Sequence, residues 1–205
     1  MKNNDYSKFE SVPEDRKERL NYLFDKYKIK EDKLYEEINK IKKNRKTNKK
    51  KLDLVFYIVP EGIARPRKGK YGFYVPNIQK FYDCMNKYLD IHEELKELNI
   101  ISECKLDLRY YLPIPSDMRK YEKILAELKY IKPIRKPDWD NLGKGTDMLQ
   151  KLMLDDSLVT MAIVRKFYSF KPRIEVRITY FTNSDNSYHE LCIKKMKIRL
   201  KKIKR

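Results

Sequence analysis

Residues 136–156 concentrate the side chains of this chain that could do chemistry. The string Lys136-Pro137-Asp138-Trp139-Asp140-Asn141-Leu142-Gly143-Lys144 is followed by a second acidic pair, Asp155-Asp156. Carboxylates are hard oxygen ligands, and with no histidine nearby they favour Mg²⁺ or Mn²⁺ over zinc. The whole chain carries a formal charge of +18. A compact acidic spot in so basic a protein is expected where a divalent cation is held against a phosphate backbone, and the chemistry it implies is hydrolysis of a phosphodiester by metal-activated water.

Spacing gives the motif a geometry. Pro137 favours an extended backbone at Lys136, and Asp138 and Asp140, two apart, then point to one side and could share a metal. A helix starting near Asp140 would put Lys144 at i+4 and Asp147 at i+7, close to the same face. Asn141 would cap that helix or orient a ligand. Gly143 and Gly145 suit a place where backbone or substrate comes close. Asp155-Asp156 follows an apolar triplet and precedes a predicted strand, a turn from which a carboxylate can complete a metal site. Trp139 is expected to pack beneath the site. His92 and His189, the only histidines, read as surface or packing residues.

Asp-x-Asp alone is common in solvated loops and helix caps, whereas the full set at this spacing is much more specific. The competing class is a non-catalytic nucleic-acid-binding protein in which the acids are caps; it predicts salt-sensitive binding without Mg²⁺-dependent incision.

The elements that must position these residues follow from period and punctuation. Leu20, Leu23 and Tyr27, then Leu34, Ile38 and Ile41, recur at helical steps and predict two amphipathic helices. Residues 52–59 read as a first core strand stopped by Pro60. Residues 65–76 mix basic, aromatic and turn residues in a loop or hairpin suited to a nucleic-acid backbone. A helix is predicted over 77–98, and a strand over 104–112 with alternating Leu106, Leu108, Tyr110 and Leu112. Ser116-Asp117 would cap a helix over 118–130. Residues 159–168 and 173–181 read as two antiparallel strands joined at Lys171-Pro172. The fold class is therefore α+β, a mixed sheet of about four strands with helices packed on one face, plus an N-terminal helical arm.

Charge is unevenly spread. Residues 39–51 carry eight Lys/Arg and no acid, and residues 193–205 carry another eight, again without acid. The rest is near neutral, so attraction for polyanions resides in two peripheral segments, which read as phosphate-backbone arms. Three scattered cysteines argue against a disulfide framework or zinc site. The five glycines form no phosphate-cradling motif, which excludes nucleotide-driven motors and dinucleotide enzymes, so no small-molecule cofactor is expected. No apolar run is long enough for a membrane span and the N-terminus is polar, which implies a cytoplasmic protein.

These residues resemble the RusA-like Holliday junction resolvases, small metal-dependent endodeoxyribonucleases of phages and prophages. The family pattern Asp-x-Asp-Asn-Leu-x-Lys, then Asp-Ala-Leu, then Asp-Asp before a strand with a lysine, is matched by Asp138, Asp140, Asn141 and Lys144, by Asp155-Asp156, and by Lys166. Arg65-Pro66-Arg67 with Tyr74 and Pro76 resembles the family's upstream motif. The family has one more residue between its lysine and Asp-x-Leu, so Asp147 falls about 100° round a helix from the usual spot.

The resemblance implies metal ligands at Asp138, Asp140 and Asp156, a catalytic Lys144, and Mg²⁺, or Mn²⁺, as cofactor. Arg65, Arg67, Lys68, Lys70, Lys136 and Lys166 are the residues expected to meet nucleic acid. It further implies a homodimer acting on a four-way DNA junction in recombination and repair, inside a bacterial or phage-infected cell. The same site chemistry would serve a nuclease of other branched DNA. The domains expected are a basic helical arm at 1–51, a RusA-like nuclease domain at 52–181 and a basic tail at 182–205.

Overall fold

The computed structural model describes residues 14–63, 67–70, 72–75, 78–183 and 187–203. The chain forms two compact units, residues 1–48 and 49–205. In the first, α1 (Glu14–Tyr27) ends where Lys28 takes a positive φ of 52°. The Ile29 N–H then bonds back to the Phe24 carbonyl, closing the helix end. The second helix, α2 (Glu31–Asn48), has Glu31 and Asp32 in its first turn and Arg45 and Lys46 in its last, charges that complement the helix dipole.

The second unit is built on a four-stranded sheet in the order β1 (Lys49–Phe56), β6 (Arg173–Phe181), β4 (Cys104–Pro113), β5 (Val159–Ser169). β6 is antiparallel to both neighbours, while β4 and β5 are parallel. The α+β class and the mixed sheet predicted from the sequence are thus what the fold shows. β5 and β6 do run in opposite directions, but they do not pair, because β4 lies between them. The separate hairpin β2 (Arg67–Gly69) and β3 (Gly72–Tyr74) occupies the segment read as loop or hairpin.

Alternation divides the sheet into two unlike faces. Leu54, Val176, Leu108 and Val164 are neighbours across one face, with Phe56, Ile174, Tyr110 and Lys166 in the next row. This side carries the main core. On it pack Phe81, Met85 and Leu89 of α3 (Ile78–Ile91), one turn apart, with Leu142, Met148, Leu149 and Leu152 from the crossover between β4 and β5. The other face is charged: Arg177 forks onto Asp53 at 2.6 and 3.1 Å, Arg109 and Arg165 meet Asp107, and Arg173 meets Glu175.

Parallel neighbours require a long crossover, and residues 114–158 supply it. α4 (Lys120–Glu127), α5 (Trp139–Gly143) and two 3-10 segments, Lys144–Leu152 and Asp156–Leu158, lie along it. Ser116-Asp117 does not cap α4. The Glu122 carboxylate accepts the Arg119 N–H at 2.8 Å instead, and Asp117 is engaged by Arg135 at 3.0 Å. The basic C-terminal segment forms α6 (Ser187–Ile203), with Ile193 buried and Met196 packed on the main core. Among the described residues no helix is long and apolar enough to cross a membrane.

Candidate active site

The acidic motif opens α5. The Lys136–Pro137 bond is cis, and Asp138, with an extended backbone, is the residue before the first turn; its carboxylate makes no capping bond. Asp140 lies in that first turn. One turn later Lys144 reaches back, its Nζ 3.6 Å from Asp140 Oδ2 and donating to Asn141 Oδ1 at 3.1 Å. The i, i+4 spacing read from the sequence is therefore realised, and Asn141 orients the lysine rather than capping the helix. α5 ends at Gly143 and gives way to a 3-10 segment, so the helical period does not carry on to Asp147.

Three contacts fix α5 on the sheet. The Tyr110 hydroxyl, buried in β4, donates to the Leu142 carbonyl at 2.7 Å. The Ile63 N–H donates to the Asn141 carbonyl at 3.0 Å. Between them Gly62 lies against the motif: a β-carbon there would sit 2.9 Å from Pro137 Cβ and 3.1 Å from Asn141 Cβ. The crowded glycine is thus Gly62, not Gly143, where an added carbon would find ordinary van der Waals room. Lys166 shares the Tyr110 row, and its ammonium donates to the carbonyls of Pro137, at 3.1 Å, and Arg135, at 3.3 Å. It braces the chain entering the motif, with one donor left over.

The second acidic pair arrives from the far end of the crossover. Ile100 and Met153 bridge, with Ile100 N–H to the Leu152 carbonyl at 2.8 Å and Leu154 N–H to the Ile100 carbonyl at 2.9 Å. Asp155 then turns inward, its side chain only 10% exposed. One of its oxygens accepts from the Ser157 N–H at 3.0 Å and the Ser157 hydroxyl at 2.5 Å; the other is held by the Arg199 guanidinium of α6. The Ser157 hydroxyl first, and the nearby Arg199 cation as well, hold the Asp155 carboxyl below the usual carboxylate range against the opposing effect of burial. Asp156, next in the chain, opens the 3-10 turn and is exposed. Half-buried Asp147 lies close enough to Asp156 to feel its charge; burial chiefly, and that charge in addition, push its carboxyl up.

Among the described residues no group of three His, Cys, Asp or Glu side chains converges to enclose a metal ion. Asp138 and Asp140 stand at α5, and Asp156 stands beside Asp147. The donor chemistry nonetheless suits Mg²⁺, which is bound through one or two carboxylates plus substrate phosphates rather than by an all-protein cage.

Trp139 does not pack beneath the site. It is 66% exposed, and the buried residue of this short helix is Leu142. Arg67, Lys68 and Lys70 are exposed on the β2–β3 hairpin, and Lys136 is exposed beside the motif; Arg65, Pro66 and Pro76 lie outside the described residues. His92 stacks on the Tyr88 ring at 4.4 Å, a packing role. The roles of Gly62, Tyr110, Ser157 and Arg199 at the site escaped the sequence reading. A lone glycine in Pro60-Glu61-Gly62, just past a predicted strand, is the one local signal that pointed to any of them.

Two comparisons with known proteins bear on the chain as a whole. The sequence profile of the family described as Endodeoxyribonuclease RusA matches residues 57–179, from just after β1 into β6. A Bacillus subtilis (strain 168) protein, recorded as uncharacterized protein YqaN, is 34% identical over 132 residues, which is 60% of this chain and 91% of that relative. The chain belongs to the RusA endodeoxyribonuclease family.

Proposed function

We propose that this protein is a divalent-metal-dependent endodeoxyribonuclease that resolves four-way DNA junctions, working as a homodimer that makes paired incisions. The observation that carries the reading is the Asp140–Lys144 pair at the start of α5, beside the uncapped Asp138. It sets two carboxylates and a cation on one short helix inside the family-matched region. Asp138 and Asp140 would hold Mg²⁺ or Mn²⁺ together with substrate phosphate oxygens; Asp156 is the third ligand that the family resemblance implies, although the described residues do not gather it into one cluster with them. Such an ion, when bound, supplies a water of lowered pKa and neutralises phosphate charge.

The remaining work falls to the chain. Lys144, kept in place by Asn141, balances negative charge as the phosphate passes through its pentacoordinate state. Asp155 accepts no part in binding the ion, since its oxygens are held by Ser157 and Arg199; it positions Asp156. Trp139, exposed between the two aspartates, offers a face on which an unpaired base can stack. Arg67, Lys68 and Lys70 on the hairpin, Lys136, and the lysine-rich α2 and α6 add affinity for phosphates without sequence information. Lys166 acts on the same strand through the backbone it braces. A four-way junction has approximate two-fold symmetry, which a C2 dimer matches with one site for each of two like strands.

The test compares end-labelled four-way junction, 5′ flap and plain duplex, each with Mg²⁺ and with EDTA. Symmetrical Mg²⁺-dependent nicks on the junction support the reading. Preference for the flap would move the substrate class, and binding without incision would replace an enzyme by a binding protein.

A further inference from the structure

α6 has two unlike flanks. At about 100° per residue, Glu190, Lys194, Lys197 and Lys201 share one side of the helix, and Arg199, which holds Asp155, stands on the opposite side. Ile193 and Met196 seat the helix on the core. The side away from Arg199 borders an open groove of about 700 Å³, within the roughly 300–1,000 Å³ range of ligand sites. Ile101, from the segment before β4, lines it together with Ile193 and Ile198 of α6. Ile198 is 48% exposed, and so is Leu191, which lies two turns back along the same line of the helix. The groove thus joins an aliphatic floor to a row of three lysines, and among the described residues that line it Glu190 is the one acid.

This groove lies beyond the part of the chain that the family profile covers, which ends at residue 179. Nor does it serve the acidic pair, because its lysines stand on the side of α6 away from Arg199. A nucleic acid fits it poorly. Single strands are held by cations together with aromatic rings on which bases stack, whereas this floor is aliphatic, and phosphates on the lysines would leave the isoleucines uncovered. The phosphate affinity of α6 belongs instead to the flank of Lys195, about 40° from Arg199 round the helix. A second copy fits no better, since each chain carries a charge of +18 and the basic rim repels it. What satisfies both features is a set of carboxylates beside an aliphatic side chain. From Lys194 to Lys201 the row is about 10 Å long at 1.5 Å per residue, a distance that about four residues of extended chain span. We infer that this groove is the docking site for an acidic peptide segment of another protein, with carboxylates on the lysines and an aliphatic anchor on the isoleucines. A buried anchor supplies most of the affinity in such an arrangement, and the charges set selectivity and the speed of encounter.

The inference goes beyond the proposed nuclease function and does not depend on it, because a non-catalytic DNA-binding protein would present the same groove. A partner held there leaves the Arg199 flank in contact with Asp155, so docking and incision are compatible.

Fluorescence anisotropy of a labelled peptide, Asp-Asp-Ile-Leu-Glu-Glu, titrated with the full-length chain in about 150 mM salt to screen distant charges, tests this. Saturable binding is expected with Kd below ~100 µM. The same peptide with serines in place of its Ile and Leu should bind at least ~10-fold more weakly. Ile198→Ser, at a half-exposed position, should weaken the parent peptide at least ~5-fold while leaving the binding of labelled oligothymidylate within about twofold of wild type. Lys194→Ala with Lys197→Ala should also weaken the peptide at least ~5-fold, and carries the test if Ile198→Ser lowers the melting temperature. Lys195→Ala, on the other flank, should leave peptide binding within about twofold. A wild type that binds neither peptide at ~1 mM overturns the inference. So do parent and serine peptides bound alike, groove variants that bind as wild type does, or an equal loss with Lys195→Ala, each of which would reduce the attraction to the net charge of the chain. Oligothymidylate binding that falls with Ile198→Ser as far as peptide binding does would also overturn it and give the groove to nucleic acid.

Discussion

The Tyr110 hydroxyl in β4 and the Leu142 carbonyl in α5 meet at 2.7 Å, joining the middle of the sheet to the helix that carries Asp140. Tyr110 is 1% exposed, and burial pushes its hydroxyl far above its ordinary pKa, which favours the protonated donor. Its ring fills core, while its oxygen sets the height of α5 above β4.

Tyr110→Phe keeps the ring and removes the donor. The Leu142 carbonyl retains the Lys144 N–H as a partner, so the loss should be that of one ordinary hydrogen bond, about 0.5–1.5 kcal/mol in a urea titration. Single-turnover cleavage should fall by more than junction affinity, because α5 is loosened and the basic surfaces are untouched.

Gly62→Ala tests the close packing of the loop after β1 on the motif. The added carbon meets the Cβ atoms of Pro137 and Asn141, neither of which is the free end of a flexible side chain. Overpacking of this kind costs about 1–3 kcal/mol. The expected result is a lowered melting temperature together with slower cleavage. Unchanged cleavage would mean that the motif tolerates a shift at its base.

Arg199 pairs with Asp155, and under the proposed function the pair positions Asp156 rather than touching DNA. Arg199→Ala should reduce the cleavage rate constant about 10-fold or more at saturating junction, with Arg199→Lys restoring part of it. Lys195→Ala should instead weaken binding and flatten its salt dependence. The Asp155 carboxyl is held below its unfolded value, so its stabilising contribution is present above about pH 4 and is lost as pH falls through the lower folded value. The gap in melting temperature between wild type and Asp155→Asn should accordingly close as pH is lowered from 7 towards 3.

Much of this arrangement was legible in the sequence where the signal is local. Alternating Leu106, Leu108, Tyr110 and Leu112 set one face of β4, and the i, i+4 spacing of Asp140 and Lys144 set their pairing. What escaped depends on contacts between distant parts of the chain. Period gives a strand its two faces but not its neighbour, so the placement of β4 between β5 and β6 left no trace. Arg199 reaches Asp155 across 44 residues of sequence, and Gly62 presses on a motif far downstream. Trp139, expected beneath the site, is exposed, and the buried residue of α5 is Leu142. The helix read through Gly143 and Gly145 changed to a 3-10 path, which moved Asp147 from the face of Lys144 to the neighbourhood of Asp156.

The most direct measurement is made on Asp140→Asn, which keeps the size of the side chain and removes its charge. On a labelled four-way junction with Mg²⁺, Kd should stay within about threefold of wild type, since the basic surfaces bind the backbone. The single-turnover incision rate should drop by at least ~100-fold, as the metal and Lys144 lose a common anionic partner. Equal loss of binding and incision, or incision that persists undiminished in the variant, would contradict a catalytic centre at α5.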